Sequence, residues 1–240
     1  MTLCANSPAT GLFAELGGTP DAGGSWTDPN GNAHSGTFDP ASDPAGVYTY
    51  TLAAQAPCPG DQSTLTVSVN AAPDAGVDGA TTVCDVGGPV GLFASLGGTP
   101  DAGGSWTDAN NNAFIGTYDP AVNAPGVYTY TVTGTAPCAD ASATVTVSET
   151  TAADAGTDGT LTLCANSPAT GLFAELGGTP DAGGSWTDPN GNAHSGTFDP
   201  ATDVSGVYTY AITGQAPCPS DQATVTVAVA DAHGAAPVTV

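Results

Sequence analysis

Carboxylates are the only charged side chains available here, and thiols and imidazoles are the other groups whose chemistry the sequence raises. The chain holds 23 Asp and Glu, six Cys and three His, with no Lys and no Arg. Two short acidic runs, Asp74-Ala-Gly-Val-Asp78-Gly79 and Asp154-Ala-Gly-Thr-Asp158-Gly159, put paired carboxylates close together. Ca²⁺ takes oxygen donors from carboxylates and backbone carbonyls. Asp74 with Asp78, and Asp154 with Asp158, are therefore candidate calcium ligands, and the alternative is a polar linker whose Asp side chains cap turns. A second acidic pattern, Asp28, Asn30, Asn32 and Asp39, matches positions of an EF-hand loop, as do Asp108–Asp119 and Asp188–Asp199. Its sixth position is Ala33, Ala113 or Ala193 where such a loop needs Gly, so a hairpin tip is the preferred reading. His34 and His194 correspond to Phe114, an exchange that a ligand or general base would not survive. No nucleophile–base pair or anion-stabilising cation accompanies the carboxylates, which argues against an enzyme. No cofactor is expected beyond the candidate calcium.

The six thiols are Cys4, Cys58, Cys84, Cys138, Cys164 and Cys218, two interleaved series that each step by 80 residues. Even cysteine numbers in small units point to disulfides and an oxidising compartment. Pairing within each copy (Cys4–Cys58, Cys84–Cys138, Cys164–Cys218) uses every thiol and is the expected scheme. Pairing Cys58 with Cys84 and Cys138 with Cys164 is the alternative. Each bridge would add roughly 4 kcal/mol on chain-entropy grounds.

The elements that position these residues repeat with the same period. Leu16–Asp28 reads LGGTPDAGGSWTD and recurs at Leu96–Asp108 and Leu176–Asp188. Leu3–Ala41 and Leu163–Ala201 are identical, which implies recent duplication and a stretch of a longer array. The period predicts three domains, 1–79, 80–159 and 160–240, each large enough for its own core. Hydrophobic alternation of period two predicts strands at Gly46–Leu52 and Thr64–Val69, with shorter ones at Thr2–Cys4, Gly24–Asp28 and Gly36–Phe38. One helical turn fits at Gly11–Leu16. Gly17–Gly24 reads as a turn region, and Trp26 as a core anchor. Short strands with turns at this spacing predict an all-β chain of antiparallel sandwiches arranged as an elongated rod. Tyr48 and Tyr50 are candidates for a sugar-binding face or for cross-strand packing.

A net charge of −23 without a fixed cation excludes recognition of phosphate by charge, and so nucleic acid and anionic membrane surfaces as partners. No apolar run is long enough to span a membrane, so no direct insertion is expected. No export signal opens the sequence, and Met1 corresponds to Leu161, as if cut from within an array.

The ordered set of Cys, LGGTPDAGGSWTD, GTFDPA, GVYTYT, APC and ATVTV, with DAGTDG between copies, resembles tandem repeats of large secreted surface proteins of Bacteroidota. These are the gliding-motility-associated, type IX-secreted proteins, and the resemblance covers the chain to about Val229. It implies immunoglobulin-like sandwiches serving as a stalk or adhesin module outside the cell. Two features depart from true immunoglobulin domains. Trp26 lies 22 residues after Cys4, and Ala56 stands where a Tyr would precede the second cysteine. The bridge is accordingly expected to clip a terminal strand to a hairpin. The functional expectation is a non-enzymatic extracellular protein giving reach and display. The alternatives are a self-assembling fibre or matrix subunit, and a carbohydrate-binding module. Further copies of the same repeat, or a glycan or surface ligand, are the expected partners.

Overall fold

The computed structural model describes residues 1–231. The first copy contains seven strands: β1 (Thr2–Cys4), β2 (Thr10–Gly11), β3 (Ser25–Thr27), β4 (Ala33–His34), β5 (Thr37–Phe38), β6 (Gly46–Leu52) and β7 (Asp61–Asn70). The second repeats them as β8 (Gly79–Cys84), β9 (Val90–Gly91), β10 (Ser105–Thr107), β11 (Ala113–Phe114), β12 (Thr117–Tyr118), β13 (Gly126–Val132) and β14 (Ala141–Thr150). The third has β15 (Gly159–Cys164), β16 (Thr170–Gly171), β17 (Ser185–Thr187), β18 (Ala193–His194), β19 (Thr197–Phe198), β20 (Gly206–Ile212) and β21 (Asp221–Ala230). Each copy is an immunoglobulin-like sandwich. A five-stranded sheet, in the first copy β1-β7-β6-β3-β4, faces the two-stranded β2-β5. The helical turn expected near Gly11 is a 3-10 turn at Leu12–Glu15.

Alternation makes the core. Along β6, Tyr48 and Tyr50 point inward while Val47 and Thr49 point out. They join Leu12, Leu16, Trp26, Phe38 and Val67 in the first copy's core. Trp26 stacks at a tilt on Tyr50, with centroids 5.1 Å apart, and Phe38 meets Tyr48 edge-on at 5.6 Å. The short β2-β5 ladder carries Phe38, and the 3-10 turn carries Leu12. Both side chains are fully buried, so these small elements close the second face. Full burial of such a side chain contributes about 1.5–3 kcal/mol. Among the described residues, no buried side-chain nitrogen or oxygen lacks a hydrogen-bond partner.

One pairing is not antiparallel. β1 runs parallel to β7, with Thr2 opposite Ser68 and Cys4 opposite Asn70, and β15 runs parallel to β21 from Gly159↔Val225 to Cys164↔Ala230. The first cysteine of a copy therefore lies beside the C-terminal end of that copy's last strand. The second cysteine lies in the β6–β7 connection, before that strand begins. The nine residue steps from Asp61 to Asn70 span roughly 30 Å of strand. Disulfide-bonded Cα atoms must approach within about 7 Å. Pairing within a copy is excluded by this geometry.

By Cα proximity the described chain forms two compact units. One is Met1–Ala80, Gly91–Gly116 and Val127–Thr146; the other is Thr81–Val90, Thr117–Gly126 and the chain from Val147. The middle copy contributes to both. No described helix is long and apolar enough to cross a membrane.

Candidate functional site

The repeated thirteen-residue stretch folds around a tyrosine. The Tyr50 hydroxyl donates to the Asp21 carbonyl at 2.9 Å and accepts from the Gly24 amide at 2.7 Å. Tyr130 closes the same clasp on Asp101 and Gly104, and Tyr210 on Asp181 and Gly184. A Cβ on Gly24 would lie 2.5 Å from the Tyr50 ring and 2.6 Å from the Thr51 carbonyl oxygen, so the close approach requires glycine.

The clasp also holds the preceding linker. In the first compact unit, the Asp74 amide donates to Asp101 Oδ2 at 2.9 Å, and the Asp101 amide donates back to the Asp74 carbonyl at 2.8 Å. Val77 and Gly97 exchange both backbone hydrogen bonds at 2.9 Å. Ala75 is buried there. The second unit repeats the arrangement with Asp154 on Asp181 and Thr157 on Gly177, and the Ala155 amide donates to Asp221 Oδ2 at 2.8 Å. Each linker therefore combines the Asp-capped turn read from the sequence with one β-bridge onto the following copy.

A disulfide also links the copies at each joint. Cys4 bonds Cys138, and Cys84 bonds Cys218, each spanning 134 residues. The first cysteine of one copy is joined to the second cysteine of the next. Neither the within-copy scheme nor the neighbour pairing of Cys58 with Cys84 is formed. The bridge does clip a terminal strand to a hairpin, but the hairpin belongs to the next copy. Within the first unit, Asn70 Nδ2 donates to the Ala136 carbonyl at 2.8 Å, seating that hairpin at the end of β7. Cys58 and Cys164, expected in bridges, are free and exposed thiols.

Each proposed calcium ligand accepts a backbone hydrogen bond. Asp74 Oδ1 takes the Gly76 amide and Asp78 Oδ1 the Thr144 amide, both at 2.7 Å. Asp154 Oδ1 takes the Gly156 amide at 2.8 Å, and Asp158 Oδ1 the Thr224 amide at 2.7 Å. Among the described residues, three metal-type donors converge at Cys84, Asp85 and Cys218, where both sulfurs belong to the disulfide.

The EF-hand-like segment is a hairpin tip. Asp28 Oδ1 accepts the Asn30 and Asn32 amides at 2.9 and 2.8 Å, between Thr27 and Ala33 of the β3-β4 ladder. In the second copy, the Asn112 amide and side chain hold the Asp108 carboxyl below its ordinary range, and the Asn110 amide adds to this. His34 Nε2 lies 3.3 Å from Asp43 Oδ2, and its ring meets Tyr48 edge-on at 4.9 Å. Phe114 packs at a tilt on Tyr128 at 4.7 Å, so the position serves packing in both copies. Tyr48 and Tyr50 are at most 4% exposed and offer no sugar-binding platform.

No family model matches the chain, and no curated protein matches it. Solved structures similar to it are strings of immunoglobulin domains. An I-band fragment of titin is 14% identical with a TM-score of 0.49, covering 96% of this chain and 95% of that one. The Sidekick-1 immunoglobulin domains 1–5 are 15% identical with a TM-score of 0.35, covering 97% of this chain and 57% of that one. The extracellular domains 3–5 of Drosophila OTK are 16% identical with a TM-score of 0.36, covering 78% and 71% respectively.

Proposed function

We propose that this chain is a non-enzymatic extracellular structural protein, a stalk of three immunoglobulin-like domains at 1–79, 80–159 and 160–240 that gives reach and display at a cell surface. The reading is supported most by the way consecutive copies are cross-linked. The two bridges overlap in sequence, since Cys84 lies inside the loop closed by Cys4–Cys138. The shortest covalent path from Cys4 to Cys218 crosses one bridge, runs back the 54 residue steps from Cys138 to Cys84, and crosses the other. Fully extended, that path reaches roughly 190 Å, against roughly 750 Å for the open backbone between the same cysteines. Such a ladder limits how far a loaded chain can lengthen even if its domains unfold, a property suited to a tether. Disulfides that span copies also require an oxidising setting, which supports export. The repeat motifs and the absence of cations agree with a bacterial surface array of the gliding-associated kind.

Single-molecule pulling between residues 4 and 218 tests this. Under oxidising conditions the extension is expected to stop near the shorter limit, and reductant is expected to release the longer one. Equal extension in both conditions would defeat the stalk reading.

A further inference from the structure

The two linkers make matching contacts onto the copy that follows, and differ in what else holds them. In the first unit Asp74 pairs with Asp101, Val77 with Gly97 and Asp78 with Thr144. In the second, Asp154 pairs with Asp181, Thr157 with Gly177 and Asp158 with Thr224. Two carboxylates act on the second linker alone. Asp85 Oδ1, just after β8, accepts the Ala152 amide at 2.9 Å. Asp221 Oδ2, at the start of β21, accepts the Ala155 amide at 2.8 Å. One copy earlier these two acids are replaced by Ala5 and Ala141, whose methyl groups accept nothing. Ala75 is buried like Ala155, yet among the described residues no acceptor meets its amide.

The difference is not cancelled elsewhere in the first unit. Asn70 Nδ2 donates to the Ala136 carbonyl there, where the second unit has Thr150. That bond seats a hairpin already tied by Cys4–Cys138, and it leaves the linker amides as they are. A hydrogen bond from an amide to a carboxylate is charge-assisted and roughly twice as strong as a neutral one. A buried amide without an acceptor carries the full penalty of leaving water. Both effects favour docking of the second linker over docking of the first.

We infer that the two joints are graded, and that the linker at 71–78 undocks before the linker at 151–158. Undocking breaks the Val77–Gly97 pairing and frees the Asp101 side chain. Cys4–Cys138 keeps the two copies tethered meanwhile, so the linker can return to its seat. The first joint is a reversible point of give, and the second is a clamp. Ala5, Asp85, Ala141 and Asp221 set the order. The inference goes beyond the stalk reading and does not require it, because linker docking is measurable without load.

Native-state amide exchange of the oxidised full chain, read residue by residue by NMR, tests the grading. Protection factors at Ala152 and Ala155 are expected to exceed those at Ala72 and Ala75 by roughly 10- to 100-fold, the worth of a hydrogen bond to a charged group. Asp221→Ala is expected to lower Ala155 to the level of Ala75, and Asp85→Ala to lower Ala152 to that of Ala72. The converse variant adds what the first joint lacks. Ala141→Asp together with Ala5→Asp is expected to raise Ala75 and Ala72 towards the second joint, a gain that a damaged fold cannot mimic. Equal protection at Ala75 and Ala155 in the parent chain would overturn the inference. So would an unchanged Ala75 in the chain carrying both added acids.

Discussion

Removing one hydroxyl, Tyr210→Phe, tests whether the tyrosine clasp organises the repeat. The ring stays in place against Trp186, with centroids 5.1 Å apart, so apolar burial is nearly unchanged. Two hydrogen bonds disappear: the donation to the Asp181 carbonyl at 2.6 Å and the acceptance from the Gly184 amide at 2.8 Å. Both backbone groups are partly buried, and an orphaned buried polar group costs about 1–3 kcal/mol. Water reaches part of this turn, so the expected loss is about 2–3 kcal/mol. Tyr208→Phe is the control. Its ring is equally buried, but its hydroxyl makes a single hydrogen bond, to the Val204 carbonyl at 2.9 Å, and the expected loss is about 1 kcal/mol. Urea unfolding followed by tryptophan emission measures both, with the slope unchanged if only stability moves. Amide exchange at Gly184 supplies the local reading and is expected to accelerate in Tyr210→Phe alone. Equal destabilisation by the two variants, with Gly184 equally protected, would refute the reasoning.

Three other outcomes follow from the same structure. The Asp108 carboxyl titrates below its ordinary 3.8, so its contribution to stability is complete above that pH and is lost as the pH falls through the lower folded value. Acid unfolding of the parent is therefore expected to be steeper than that of Asp108→Asn, and parallel curves would refute the assignment. Calcium titrated into the metal-free chain is expected to give no saturable heat at micromolar concentration, because Asp78 and Asp158 already hold backbone amides. One binding event per joint, lost in Asp78→Asn with Asp158→Asn, would place the ion there. Salt-sensitive binding to DNA, RNA or anionic vesicles is not expected from a chain without Lys or Arg, and fluorescence anisotropy over a salt series checks it.

Long alternating runs were legible in the sequence. The strand expected at Gly46–Leu52 is β6 with the same bounds, because inward tyrosines alternate with outward β-branched residues over seven positions. β2 and β4 were not legible. Two residues carry no periodicity, and they exist because tertiary pairing brings Thr10 opposite Phe38 and Trp26 opposite His34. The cysteine pairing failed for a different reason. Every scheme that respects the 80-residue period is equally regular on paper, and the choice turns on which end of the sandwich each thiol occupies. That in turn depends on β1 being parallel to β7, a non-local pairing without a local signature. The linkers were legible in part: Asp74 and Asp154 cap turns as a polar linker would, while the bridge to Gly97 or Gly177 is a tertiary pairing without a local signature.

The thirteen-residue stretch can now be assigned in parts. In the second copy, Leu96 enters the core and Gly97 pairs with Val77 of the linker. Gly98 takes a left-handed φ of 75° that a side chain would resist, and Gly76 of the linker packs against Pro100. Asp101 grips Asp74 with its side chain and amide while its carbonyl receives Tyr130, so one residue couples joint to core. Gly104 admits that ring, and Trp106 stacks on it at 5.0 Å. Near-identity among the copies is what such crowding demands. Where the surroundings are open, the copies diverge: the hairpin tip reads Pro29-Asn30-Gly31 in one copy and Ala109-Asn110-Asn111 in the next. Asn111 holds a φ of 62°, which Asn tolerates where most residues do not. What is written three times is the seat for a preceding linker, built into the core that the seat helps to close.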